Sequence, residues 1–95
     1  MARFVCLLRF TERGAKHLKQ STARARAFDR AAARAGVTIE AQYWTMGVYD
    51  GVLILSADSE EKALHCLSEL AAGGNVRTET LPAFDAGQFA AIVGR

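Results

Sequence analysis

The sequence predicts an α+β domain of order βαββαβ, a four-stranded antiparallel sheet carrying both helices on one face. Three observations carry this expectation. Two segments repeat apolar residues at helical spacing, Ala23 to Ala35 and Ala63 to Leu70, and each is closed by glycine, Gly36 and Gly73-Gly74. Four other segments have the length and alternation of strands. Between the second and third of these, Tyr43-Trp44-Thr45-Met46-Gly47-Val48-Tyr49-Asp50-Gly51 has the composition of a hairpin tip, with Gly47 and Gly51 able to take positive φ and Asp50 able to bond nearby amides.

The first strand is Phe4 to Phe10, with Phe4, Cys6, Leu8 and Phe10 on one face and Val5 and Leu7 on the other. A strand apolar on both faces is covered on both. Thr11-Glu12-Arg13-Gly14 ends it, and Ala15 to Gln20 suits a short helical turn. Ser21 is placed to cap a helix running to Ala35, whose small apolar residues imply close packing on a sheet. Val37 to Thr45 alternates cleanly, with Val37, Ile39, Ala41 and Tyr43 expected beneath the helices and Thr38, Glu40, Gln42 and Trp44 on the opposite face. Val52-Leu53-Ile54-Leu55 is a third strand, again apolar on both faces. Asp58 or Ser59 caps a second helix with a core stripe of Ala63, Cys66, Leu67 and Leu70. Val76 to Leu81 is the fourth strand, stopped by Pro82, and Asp85 to Val93 forms a short terminal helix or tail.

A chain of 95 residues, 51% hydrophobic, is one domain, 1–95. With 12 basic and 10 acidic residues it lacks the dense positive charge that nucleic acid or an anionic membrane draws. Cys6 and Cys66 stand apart in apolar contexts, which points to reduced thiols and a cytoplasmic setting. Arg9 breaks the first apolar run too early for a signal peptide, and no run approaches the ~20 residues of a membrane helix. His17 and His65 have no ligand-spaced neighbours, and neither a phosphate loop nor a dinucleotide fingerprint is present, so no metal or cofactor is expected.

Two helices on one face leave the other face of strands one and three uncovered, a patch an isolated soluble domain seldom exposes. The expected solution is a homodimer or higher oligomer with sheets facing each other, as in dimeric α/β barrels. Charges avoid the space under helices, so Gln42 and Trp44, with Arg77 and Glu79 of the last strand, are expected to line the chamber between two sheets and bind a small organic ligand. Tyr49 and Asp50 would stand at its mouth as donor and base, and with Glu79 they are the catalytic candidates. Glycine-flanked aromatic and Asp residues more commonly fix a turn, and Arg77 and Glu79 more commonly make interface ion pairs. Arg26, Arg30 and Arg34, with Arg24 nearby, form a basic stripe whose ordinary role is a solvated helix face.

The chain also resembles the GYD domain family, small bacterial and archaeal proteins of no generally established activity. Phe10-Thr11-Glu12-Arg13-Gly14 is similar to that family's first strand-to-helix junction, Tyr43 to Asp50 to its signature, and Gly74-Asn75-Val76-Arg77-Thr78-Glu79-Thr80-Leu81 to its last strand. The resemblance implies a ferredoxin-like fold and oligomerisation, and brings no catalytic residue with it. A cofactor-independent oxygenase or isomerase of the dimeric α/β-barrel type, using Tyr49, Asp50, Glu79 and Arg77, is the alternative function that fold analogy suggests.

Overall fold

A computed structural model describes residues 1–95. Strand β1 is Ala2–Phe10, followed by helix α1, Glu12–Lys16, a 3-10 turn, Leu18–Gln20, and helix α2, Ser21–Arg34. Strands β2, Val37–Trp44, and β3, Gly51–Ala57, lead to helix α3, Glu60–Ala72, strand β4, Val76–Ala83, and helix α4, Ala86–Val93. The sheet order is β2-β3-β1-β4 and every pairing is antiparallel. This is the α+β ferredoxin-like arrangement that the element order predicts. No helix is long and apolar enough to cross a membrane.

Residues facing α2 and α3 form the core. Phe4 and Cys6 of β1, Leu53, Leu55 and Ala57 of β3 and Val37 of β2 are buried against Ala32 of α2 and Ala63, Cys66 and Leu67 of α3. Helix α2 packs chiefly on β2, and α3 on β3 and β4. The α3 stripe and its cap are as the sequence predicts: the Ser59 Oγ accepts from the Lys62 amide at 3.2 Å. Gly36 adopts φ +81, the left-handed conformation of a residue that ends a helix, just past α2.

Several local expectations are corrected. Ser21 is the first residue of α2 and does not cap it. The 3-10 turn runs straight into the helix, Gln20 occupies the cap position, and the Ser21 Oγ accepts instead from the Trp44 indole at 2.9 Å. Residues Glu12-Arg13-Gly14, which resemble a turn, open α1, because the Thr11 Oγ1 accepts from the Gly14 amide at 3.1 Å and caps it. Gly14 is required there by proximity, since a Cβ would lie 2.0 Å from the Asn75 carbonyl oxygen. Gly51 keeps a negative φ in β3, where a Cβ would sit 3.1 Å from the Tyr43 carbonyl oxygen; of the hairpin glycines only Gly47 has positive φ. Pro82 does not stop β4, which continues to Ala83. β4 pairs with β1 alone, so the missing N–H of Pro82 faces an open edge.

The correction with most bearing on function lies in β2. Ile39 pairs with Leu55 but Ala41 pairs with Ile54, so Glu40 is an extra residue, a β-bulge. Strand side chains alternate, so one inserted residue exchanges the faces beyond it. Gln42 and Trp44 therefore point to the helix side, with Ala41 and Tyr43 on the other.

Candidate functional site

The helix-free face is built from alternate residues of all four strands. Its centre is apolar: Val5 and Leu7 of β1 lie beside Val52 and Ile54 of β3, with Leu81 of β4 opposite Val5. Val5, Leu7, Val52 and Ile54 are only partly buried, and Leu81 is 45% exposed. No element of the same chain roofs them. The terminal helix α4 is a capped helix, with the Asp85 Oδ1 accepting from the Gln88 amide at 2.8 Å and Gln88 reciprocating on the Asp85 amide. Yet every residue from Phe84 to Arg95 is exposed, including Phe89, Ile92 and Val93.

Polar groups stand at both ends of this apolar strip. At one end the Arg3 guanidinium meets the Glu40 carboxylate at 3.1 Å, and this bond holds the Glu40 carboxyl below its ordinary pKa. At the other, the Tyr49 hydroxyl donates to the Glu79 Oε2 at 2.6 Å, and Arg9 lies over the Tyr49 ring, 5.1 Å from its centre. The Tyr49 phenol is pushed up from its usual value, mainly because ionising it would forfeit the bond to Glu79. Arg77 pairs directly with Arg9 across β1 and β4. Tyr49, Glu79, Arg9 and Arg77 thus form one cluster, two cations, one carboxylate and one phenol, beside Leu7.

Sequence reasoning expects Tyr49, Glu79 and Arg77 around one chamber; the structure bonds Tyr49 to Glu79 and sets Arg77 opposite Arg9 in the same pair of strands. That reasoning misses Arg9, whose place in an apolar strand shows no partner until register is known. Asp50 belongs to a different arrangement. Its Oδ2 accepts from the Phe10 amide at 2.8 Å, its own amide donates to the Leu8 carbonyl at 2.8 Å, and its carbonyl accepts from the Thr45 amide at 2.9 Å. These bonds tie the hairpin to the end of β1, and the carboxylate serves the backbone.

Gln42 and Trp44 are separated from the cluster by the sheet itself. They line a hollow of about 340 Å³ under α2, walled by Leu8, Phe10, Phe28, Leu53 and Leu70. Gln42 donates to Asp29 of α2. Of the four side chains expected to share one chamber, two occupy each side. No group of three or more His, Cys, Asp or Glu side chains is placed to hold a metal ion. Cys6 and Cys66 are free and buried, and burial pushes both thiols up.

Comparison with known proteins agrees with this architecture. The family model described as GYD domain matches residues 4–93. The crystal structure of TTHA0845 from Thermus thermophilus superposes with TM-score 0.57 at 26% identity, covering 90% of this chain and 96% of that one. The crystal structure of FFRP-DM1 superposes with TM-score 0.62 at 15% identity, covering 88% of this chain and all (100%) of the other, a likeness of fold alone. No curated protein sequence matches the chain significantly.

Proposed function

Because the chain belongs to the GYD domain family, whose match spans residues 4–93, we propose a function for the whole domain: two copies pair through their helix-free sheet faces and hold a small organic ligand between them. The observation that carries this is the strip of Val5, Leu7, Val52, Ile54 and Leu81, which nothing in its own chain covers. Burying such a side chain fully contributes roughly 1.5–3 kcal/mol. What is already partly buried contributes less, but five residues doubled by symmetry are enough for association. The exposed helix α4 adds apolar surface that a second copy can cover.

Between facing sheets, the Tyr49–Glu79–Arg9–Arg77 cluster supplies the few polar groups that orient a ligand in an apolar chamber. The phenol, whose proton is engaged by Glu79, offers its oxygen as an acceptor; the two guanidinium groups favour a ligand that carries an acceptor or partial negative charge. A cofactor-independent enzyme of the oxygenase or isomerase type is the second reading, favoured by one observation, the Tyr49–Glu79 hydrogen bond. It is the weaker, because Asp50 is occupied by the Phe10 amide and leaves Glu79 as the one carboxylate for proton abstraction.

The test is native mass spectrometry of the purified protein and of Leu7→Asp. The wild type is expected as a dimer or higher oligomer that releases a small molecule on denaturation, and the variant as a folded monomer without it. A wild-type monomer at every concentration would sink this function.

A further inference from the structure

A second ligand site lies on the opposite side of the sheet, inside one protomer, and does not depend on pairing of copies. Its origin is in the composition of α2. Ala25, Ala27 and Ala31 stand where larger side chains would fill the space between that helix and β2, and α3 packs farther along on β3 and β4. The hollow left between them, about 340 Å³, is lined mostly by apolar side chains, among them Phe28 of α2, Leu53 of β3 and Leu70 of α3. That volume is at the small end of the ~300–1,000 Å³ typical of sites for small organic molecules.

Arg24 lines the same hollow, turned inward from the basic stripe that the sequence suggests. Its Nη1 donates to the His17 carbonyl at 3.0 Å, which anchors the guanidinium. Its Nη2 is shut off from solvent and has no hydrogen-bond partner. The acids at the hollow are engaged elsewhere. Asp50 accepts from the Phe10 amide, and Glu69 lies 3.2 Å from His65. Asp29, on the same helix as Arg24, is taken by Gln42. The Arg24 guanidinium has no carboxylate partner and its residue lines an apolar hollow, so an anion attached to an apolar body would meet a compensating charge there.

We propose that this hollow binds a small monocarboxylate with an aliphatic or aromatic body, its carboxylate on the Arg24 guanidinium and its body between Phe28, Leu53 and Leu70. Trp44, the single tryptophan of the chain, stands at the rim with its indole N–H on Ser21, and reports occupancy.

The experiment is a Trp44 fluorescence titration of the full chain with octanoate and phenylacetate, each set against its neutral alcohol, octan-1-ol and 2-phenylethanol. A charge-assisted hydrogen bond predicts that the acid binds about tenfold or more tightly than the alcohol. Arg24→Gln is expected to abolish that preference while the alcohol binds as before, which also shows that the variant keeps its hollow; Arg24→Lys is expected to restore part of it. Leu7→Asp, designed to separate the copies, is expected to bind octanoate unchanged, so this site and the one between sheets fail separately. A flat titration, equal affinity for acid and alcohol, or an unaltered preference in Arg24→Gln overturns the proposal.

Discussion

The two faces of the sheet are built from the same four strands yet are completed differently. On the covered face, Phe4, Cys6, Leu53 and Leu55 are sealed by α2 and α3, and Cys6 and Leu55 have no exposure at all (0%). On the bare face, their immediate neighbours Val5, Leu7, Val52 and Ile54 are equally apolar and only partly buried. The difference teaches that hydrophobicity in this chain is divided, residue by residue along each strand, between a set the helices seal and a set they leave open to the proposed pairing. The covered set completes itself within one protomer. The bare set has no such cover within its own chain.

Replacing one neighbour at a time is the strongest way to break that division. Leu55→Ala removes a fully enclosed side chain and is expected to lower protomer stability by about 2–5 kcal/mol, independent of protein concentration. Ile54→Ala, at the preceding residue, is expected to change protomer stability far less and to shift the self-association constant. Urea unfolding at two concentrations well apart separates them. Equal and concentration-independent losses from both substitutions would refute the division.

A middle-sized effect is expected at the junction of the faces. Asp50→Ala leaves the part-buried Phe10 amide without its acceptor, for an expected loss of about 1–3 kcal/mol. If Asp50 instead serves a ligand, thermal unfolding will be unmoved and ligand retention lost. The smallest effect concerns the polar rim of the bare face. Glu40 has its carboxyl held below its unfolded value by Arg3, so its stabilising contribution is present above the ordinary carboxylate pKa, ~4.3, and is lost as pH falls through the lower folded value. Glu40→Gln is therefore expected to flatten the fall in melting temperature below about pH 4.5 while leaving the value at pH 7 nearly unchanged, since exposed ion pairs contribute little.

Much of this is legible in the sequence, for identifiable reasons. Strands β1 and β3 declare themselves as short runs apolar on both faces, α3 by Ser59 and its apolar stripe, and the end of α2 by Gly36. The family resemblance rests on the hairpin and its flanking segments. What stays hidden depends on contacts between distant residues. Nothing local marks Glu40 as supernumerary, because Thr38 to Trp44 alternates as neatly with the bulge as without it; only pairing with β3 reveals the slip. Pro82 remains in a strand because that strand is an edge, a property of the assembled sheet. Arg24 looks like one more member of a basic stripe until the His17 carbonyl draws it inward. The Tyr49–Glu79 bond spans thirty positions, |i−j|=30, and can be anticipated from face assignment though not in its geometry.

The supernumerary residue in β2 has a practical consequence for anyone comparing this chain with others of its kind. Which of the two adjacent aromatics, Tyr43 and Trp44, lies on the helix side is decided by it. A relative one residue shorter at this point would lack the extra residue and send its matching pair the same way, while one of equal length without the bulge would send it the opposite way. Deleting Glu40 would therefore straighten the strand and leave every side chain beyond it on its present face, whereas a chain of the same length that paired without the bulge would exchange the two faces.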